Sequence, residues 1–309
     1  MILLWGRSDD APLAMLRDEL LERDCLFFHI DEETARSLRF VPRASPAEGC
    51  IVMDNIVVDL ADIHACYLRP DARWVELADA DEIKRRQHFQ YALCAWADVT
   101  PALVLNRPAA MWSNQSKPFQ SLVAREAGFL TPHTLITTDP QAVRDFIEQH
   151  GRVIYKSISS VRSIVSELTL DDPRIDAVHE APVQLQAYVE GVDHRVHVVG
   201  EQVFACRIGS AKADYRYDHS ATLNEVELPA PIKDRCLRLA QLLGLSLTGI
   251  DLRRTPKGEW VCFEANPSPG YSYYQQHAGL PIVVGIAQLL QTGGSLGTTQ
   301  PNSYMKMGV

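Results

Sequence analysis

The sequence predicts an α/β fold built from more than one unit, on three observations. An apolar run at 2–5 (ILLW), leucines at 13, 16, 20 and 21, and a second apolar run at 25–30 (CLFFHI) give strand, helix and strand in succession. Short strand-like runs then alternate with helical stretches along most of the chain. Finally, 309 residues that are 46% hydrophobic and 22% charged suffice for a sizeable core and for about two domains of ~150 residues. The same numbers exclude a disordered chain, a collagen and a coiled-coil rod. Lys and Arg number 30 against 39 Asp and Glu, a net charge of −9. That balance argues against a dedicated nucleic-acid binder but permits a local basic pocket for phosphate.

Taking the elements in order, CIVMDNIVVDL at 50–60 places an Asp-Asn pair between two apolar runs, the pattern of a hairpin. CYLRP at 66–70 reads as a short strand, 81–97 as a helix, and ALVLN at 102–106 closes the first region. A second region starts near Trp112. Lys117 to Ala127 is helical and stops at Gly128, HTLIT is extended, and Asp139 caps a helix that begins with Pro140 and ends at Gly151. RVIYK at 152–156 is a strand, followed by the loop SISSVRS at 157–163 and three strand-like runs, IVSELTL, VQLQAYV and HRVHVVG. QVFACRI is a further strand, 209–224 is a polar stretch, and a helix is expected over about 231–243. LTGIDLRR and EWVCFEANP form a strand pair joined by TPKG, and a helix follows at about 281–291. From Gly293 the chain is rich in Gly, Ser and Thr, and a mobile tail is expected.

Seven cysteines, at 25, 50, 66, 94, 206, 236 and 262, are odd in number and lack any C-x-x-C spacing. This argues against a disulfide framework or a zinc site and favours a reducing cytoplasm. MILLWGRSDD lacks the basic stretch and apolar core of a signal peptide. LPIVVGIAQLL at 280–290 falls far short of the ~18 residues of a membrane span and reads as a packed helix.

Candidate chemistry concentrates in the strand pair. Side chains alternate faces along a strand, so Glu264 and Asn266 point one way, as do Asp251 and Arg253. With TPKG as the loop, Arg254 faces Glu259 and Asp251 faces Cys262, which gathers Asp251, Glu264 and Asn266 on one side. Two carboxylates and an amide oxygen are hard ligands suited to Mg²⁺, which typically bridges to phosphate; a solvated sheet face is the plainer alternative. Lys156 ends an apolar strand before a Ser-rich loop, where it either reaches a phosphate or simply snorkels. Lys117 opens a helix, where the dipole mildly disfavours a cation. In DHRVHVVG at 193–200, Asp193, Arg195 and His197 share a face. Arg195 can there stabilise a phosphoryl charge in a cleft, or pair with Asp193 or another carboxylate. Lys212, Asp214, Arg216 and His219 punctuate the polar stretch and by themselves read as solvated surface. The histidines lack metal spacing, and neither G-x-S-x-G nor G-x-x-x-x-G-K-[ST] occurs, so serine hydrolase and Walker-type NTPase readings have no support.

DHRVHVVG, GIDLRR and FEANPSPG, in that order and spacing, resemble the ATP-grasp superfamily and within it the RimK-like ligases, over about residues 100–292. K-x-x-Q at Lys117–Gln120, TPHTLIT at 131–137 and VIYK at 153–156 fit the same pattern. YLRP at 67–70, IYKSIS at 154–159, RIGSAKADYR at 207–216 and ELP at 227–229 look most like graspetide (microviridin-type) synthetases, which cross-link side chains of ribosomal peptides. The stretch after Asn266, PSPGYSYYQQ, departs from the Gly-Gln-Trp type of sequence associated with that group.

The resemblance implies an ATP-grasp fold with a pre-ATP-grasp α/β domain at 1–111, a central lid subdomain at 112–190 and a C-terminal antiparallel-sheet subdomain at 191–292, before the tail at 293–309. It implies ATP and Mg²⁺, with Lys117 and Lys156 on the ATP phosphates and the loop at 157–163 in the lid. Gln184 to Val189, including Gln186, Ala187 and Tyr188, would be the hinge whose backbone holds adenine, with Glu190 on the ribose. Asp251, Glu264 and Asn266 would be the Mg²⁺ ligands, Arg195 would lie at the transferred phosphoryl group, and Arg216 beside the acceptor. The activity implied is ATP-dependent carboxylate–amine or carboxylate–hydroxyl ligation on a peptide or amino-acid substrate. A glutamate- or glutathione-adding ligase and a catalytically silent ATP-grasp binding module are the alternatives. The same likeness suggests a homodimer.

Overall fold

A computed structural model describes residues 1–31, 34, 38–43, 45, 48–53, 55–70, 80–156, 166–209 and 222–293. The N-terminal unit is a parallel sheet of β1 (Ile2–Gly6), β2 (Phe27–Ile30), β6 (Ala65–Arg69) and β7 (Leu103–Leu105), in the order β2-β1-β6-β7. Every residue of β1 is buried because both faces are covered. Ile2 and Leu4 meet Leu13, Leu16 and Leu20 of α1 (Ala11–Glu22), whereas Leu3 and Trp5 share a core with Leu93 and Trp96 of α2 (Ala80–Val99). The hairpin expected around Asp54-Asn55 is β4 (Gly49–Met53) with β5 (Ile56–Asp59), and β3 (Arg39–Pro42), not foreseen, adds a third strand.

The central sheet is antiparallel, from β8 (Thr134–Thr137), β9 (Val153–Lys156), β10 (Ser166–Leu168) and β11 (Val183–Ala187), ordered β10-β9-β11-β8. α5 (Pro140–His150) covers one face with Val143, Phe146 and Ile147. Asp139 caps it by accepting from the Gln141 N–H at 2.9 Å. α3 (Pro108–Met111) and α4 (Lys117–Glu126) precede this sheet in sequence, yet α4 packs elsewhere: Val123 and Ala124 join the C-terminal core.

That C-terminal core lies under a five-stranded antiparallel sheet ordered β14-β13-β12-β15-β16. Its strands are β12 (Val192–Val199), β13 (Gln202–Gly209), β14 (Thr222–Glu225), β15 (Leu247–Arg254) and β16 (Trp260–Asn266). α6 (Ala230–Leu242) packs Ile232, Cys236 and Leu239 on the face that carries Val196, Val198, Ile250 and Leu252. Alternation sends Arg195, His197, Gly249 and Asp251 to the opposite face. There α7 (Tyr271–Ala278) and α8 (Ile282–Thr292) join a core shared with α1 and β1. Two elements differ from expectation: β14 occupies the end of the polar stretch, and α7 follows Gly270 where no helix was foreseen. Among the described residues no helix is long and apolar enough to cross a membrane.

The β15–β16 register also differs from expectation. The Thr255 N–H donates to the Glu259 carbonyl at 2.9 Å, and Gly258 closes the loop at φ +83°. Arg254 therefore faces Trp260 rather than Glu259. A bulge between Asp251 and Leu252 then leaves Phe263 as an extra residue, so Asp251 faces Glu264 rather than Cys262. The turn and the bulge each shift the pairing by one residue. Two shifts restore the parity of faces, so Asp251, Glu264 and Asn266 still converge.

Candidate active site

Arg195 stands opposite Asp251 across β12 and β15, and Asp193 stands opposite Arg253. Directly opposed side chains lie about 5 Å apart, against about 7 Å for neighbours two apart on one strand. Ion pairs accordingly form between strands. Arg195 Nη1 donates to Asp251 Oδ1 at 2.7 Å. Arg253 grips Asp193 through Nε at 2.6 Å and Nη2 at 2.8 Å, so the carboxylate considered as a local partner for Arg195 belongs to Arg253. Arg195 is 5% exposed, whereas the Asp251 side chain keeps 36%, leaving part of that carboxylate accessible.

The Arg195 guanidinium lies across the backbone of Gly249. A Cβ at Gly249 would sit 2.1 Å from Nη2 and 2.6 Å from Cζ, so only glycine leaves it room. Tyr274 of α7 stacks on the same group, its ring centroid 5.4 Å from Cζ. His197 is fully buried with its ring 5.0 Å from that of Tyr274. Burial first, and the Arg195 charge second, hold the His197 imidazole well below its ordinary range. The ring is therefore neutral and does not repel the guanidinium.

Across the bulge, Glu264 faces Asp251 and Asn266 faces Gly249. Gln120 of α4, buried, bridges Ala265 between them: Nε2 donates to the Ala265 carbonyl at 2.7 Å and Oε1 accepts from its N–H at 3.2 Å. This amide supplies the ladder partner that an edge strand lacks. Asn106, just after β7, donates to the carbonyls of Leu247 at 2.6 Å and Pro267 at 2.7 Å, and accepts from the Leu247 N–H at 3.0 Å. Asn266 Oδ1 accepts from the Ser268 N–H at 2.9 Å, which orients the amide and leaves a second lone pair on the oxygen. Arg69, held by Asp10, donates to Ser268 Oγ at 3.1 Å and the Pro269 carbonyl at 3.2 Å. Sequence reasoning assigned no part to Asn106, Gly249 or Arg69, whose partners are distant in the chain.

Two carboxylates and an oriented amide oxygen fit Mg²⁺, a hard cation that takes oxygen ligands. Among the described residues no three His, Cys, Asp or Glu side chains form a metal-binding group, so a metal here would need the Asn266 oxygen as well.

The remaining expected site residues sit on α4, β9, β11 and the segment that follows it, or lie outside the described residues. Lys117 opens α4, three residues before Gln120, and is half-buried. Lys156 ends β9 opposite Gln184. In the expected hinge, Ala187 donates its N–H to the His133 carbonyl at 2.9 Å and Tyr188 to the Arg152 carbonyl at 2.8 Å. Those two donors are therefore engaged within the protein. The Val189 carbonyl accepts from Arg253 Nη1 at 2.7 Å, and the Tyr188 ring lies 3.7 Å from the Arg152 guanidinium carbon. Glu190 is exposed. Arg216, its neighbours Lys212, Asp214 and His219, the loop at 157–163 and the tail after Gly293 lie outside the described residues.

An antiparallel C-terminal sheet bearing an Asp–Glu–Asn face, a smaller central sheet and a parallel-sheet N-terminal unit define an ATP-grasp protein. Residues 113–290 match the RimK-like ATP-grasp domain, and the chain belongs to that family. It is similar to the ATP-grasp ligase PsnB, solved with a phosphomimetic variant of its minimal precursor, Mg and ADP. Identity is 27% and the TM-score 0.79, covering 94% of this chain and 98% of that one. The macrocyclase MdnC from Microcystis aeruginosa MRC, solved with precursor peptide MdnA, shares the fold at a TM-score of 0.80 and 21% identity, over 94% and 100% of the two chains. A "Probable alpha-L-glutamate ligase" of Pseudomonas aeruginosa is 26% identical over 206 residues, 62% of this chain and 67% of the relative. "Beta-citrylglutamate synthase B" of Danio rerio is 30% identical over 119 residues, 36% of this chain and 29% of that protein. The match thus spans about two thirds of the bacterial relative and under a third of the fish one.

Proposed function

We propose that this chain is an ATP-dependent ligase that activates a carboxylate as an acyl phosphate for attack by an amine or hydroxyl, with a peptide as its substrate. The observation that carries the reading is the Asp251–Glu264–Asn266 face beside a preset Arg195. The likeness to PsnB along nearly the whole of both chains supports a peptide substrate.

A carboxylate is a poor electrophile with a poor leaving group. Transfer of the γ-phosphoryl group from ATP forms the bond from carboxylate oxygen to phosphorus and breaks the bond to ADP. The nucleophile then adds at the acyl carbon, loses its proton, and phosphate departs. Asp251, Glu264 and Asn266 would hold Mg²⁺, which when bound offsets charge on the nucleotide phosphates. Arg195 needs little reorganisation to face the transferring group, because Asp251, Gly249 and Tyr274 already fix its orientation. Lys117 and Lys156 would bind phosphates, the segment from Gln186 to Glu190 the nucleoside, and Arg216 the acceptor region. The division at 1–111, 112–190 and 191–292 belongs to the same proposal.

The test is mass spectrometry of a short peptide rich in Asp, Glu, Ser, Thr and Lys, encoded beside the gene, after incubation with the protein, ATP and Mg²⁺. Loss of one water per event within the peptide is the expected result. Gain of an amino-acid residue mass instead favours the second reading, an amino-acid-adding ligase, which the glutamate ligase relatives support. ATP binding with no product from either class of substrate would leave a silent binding module and refute ligation.

A further inference from the structure

We propose that Arg69, braced by Asp10, is a positioning residue that fixes the Asn266 side chain and so makes the metal face selective for Mg²⁺ over the larger Ca²⁺; the inference rests on the metal assignment above. Asn266 ends β16 and runs into Pro267, Ser268, Pro269 and Gly270. The two prolines have no N–H, so this loop presents carbonyls to its surroundings and few donors of its own. Its Ser268 N–H goes to Asn266 Oδ1 at 2.9 Å. Where the Ser268 peptide lies therefore decides where the Asn266 oxygen points. Donors from distant parts of the chain settle that position. Asn106 Nδ2 donates to the Pro267 carbonyl at 2.7 Å, just before Ser268. Arg69 Nη1 donates to Ser268 Oγ at 3.1 Å and to the Pro269 carbonyl at 3.2 Å, at Ser268 and just after it. Ser268 is thus held from both sides.

A brace works only if it is itself fixed. Asp10 accepts from Arg69 Nε and, at 3.2 Å, from Nη2, a two-pronged grip that suits the planar guanidinium. Asp10 also caps α1, accepting from the Leu13 N–H at 3.1 Å, and is tied to that helix. Beyond the loop, Tyr271 opens α7 and donates its hydroxyl to the Pro12 carbonyl of α1. The loop after Asn266 is therefore anchored to β6 and α1 of the N-terminal unit. The Arg69 side chain is only 13% exposed, so water competes little for its bonds. Mg²⁺ demands near-ideal octahedral geometry, whereas Ca²⁺ accepts six to eight oxygens in flexible arrangements. A firmly aimed amide oxygen favours the first ion; one free to swing loses that preference. Groups that orient metal ligands in this way typically contribute about 10–100-fold in metal affinity.

Calorimetric titration of ADP with Mg²⁺, with Ca²⁺ and with EDTA into the wild type, Arg69→Lys and Asp10→Asn tests this. ADP binding to the wild type should gain more from Mg²⁺ than from Ca²⁺. Arg69→Lys keeps the charge but cannot hold Asp10 and the loop together. It should lose about 10-fold of the Mg²⁺ gain, while the affinities with Ca²⁺ and with EDTA stay within about 2-fold. Asp10→Asn still caps α1 but offers the guanidinium one acceptor in place of two, and should move the same way. It carries the test if Arg69→Lys does not fold. A folded variant with the wild-type preference for Mg²⁺, or a loss shared equally by Mg²⁺, Ca²⁺ and EDTA, overturns the inference and leaves Arg69 a structural tie between two units. So does a wild type that gains equally from the two ions. A wild type whose ADP binding gains from neither ion overturns the metal assignment and this inference with it.

Discussion

Replacing Gly249 by alanine should remove Arg195 from its working position without touching any charged group. The added Cβ would lie 2.1 Å from Nη2, 2.6 Å from Cζ and 2.9 Å from Nε of Arg195. Ordinary contact requires about 3.5–4.0 Å, so the guanidinium must retreat by roughly 1.5 Å. It is the end of a flexible side chain, and the backbone can stay where it is. The stability cost is therefore that of modest overpacking, about 1–3 kcal/mol. The 2.7 Å bond from Nη1 to Asp251 does not survive such a retreat. If Arg195 serves the transferring phosphoryl group, kcat should fall by about 10²-fold or more, the loss seen when a preorganised donor is removed. The assay is acceptor-dependent ADP release at saturating ATP, with a thermal melt to confirm folding. Gly270→Ala is the control, because its Cβ meets nothing within 4 Å. A folded Gly249→Ala protein with near-normal kcat would refute the reasoning.

Arg195→Lys keeps the charge but loses the planar fork; kcat should drop by about 10²-fold with little change in ATP affinity, and steady-state kinetics with normal turnover would return Arg195 to a purely structural pair with Asp251. Gln120→Leu strands the Ala265 N–H and carbonyl, so urea unfolding should show a loss of about 2–4 kcal/mol together with a higher Mg²⁺ requirement; an unchanged midpoint would mean that the clip does not hold β16. His197 is held neutral in the fold, so its contribution to stability is complete above the ordinary histidine value near 6.5 and declines as the pH falls below it, because the unfolded chain takes up the proton. The slope should approach about 1.4 kcal/mol per pH unit and flatten in His197→Phe; equal losses between pH 7.5 and 5.5 in both proteins would contradict the burial argument.

How much of this was legible in the sequence varies residue by residue. β1 was legible because ILLW is apolar throughout, as a strand covered on both faces must be. The Asp251–Glu264–Asn266 face was legible because side-chain parity is a local property of strands. The register was not: the left-handed Gly258 and the extra Phe263 each move the pairing by one residue without altering the apolar pattern. The partner of Arg195 was illegible for a related reason, since the choice between Asp193 and Asp251 depends on which strand lies alongside. α7 was hidden behind the Pro and Gly of PSPG, and β14 is a four-residue strand among polar residues. Asn106 clamps groups 141 and 161 residues away, a relation that no local pattern encodes.

The claim that Asp251, Glu264 and Asn266 hold the metal of a bound nucleotide is tested most directly by titrating ADP into the wild type and into Glu264→Gln, with Mg²⁺ and again with EDTA. The account predicts that Mg²⁺ strengthens ADP binding to the wild type by about 10-fold or more, and that a Glu264→Gln protein with a normal melt loses this dependence. Full Mg²⁺ dependence in Glu264→Gln, or equal ADP affinity of the wild type with Mg²⁺ and with EDTA, would contradict it.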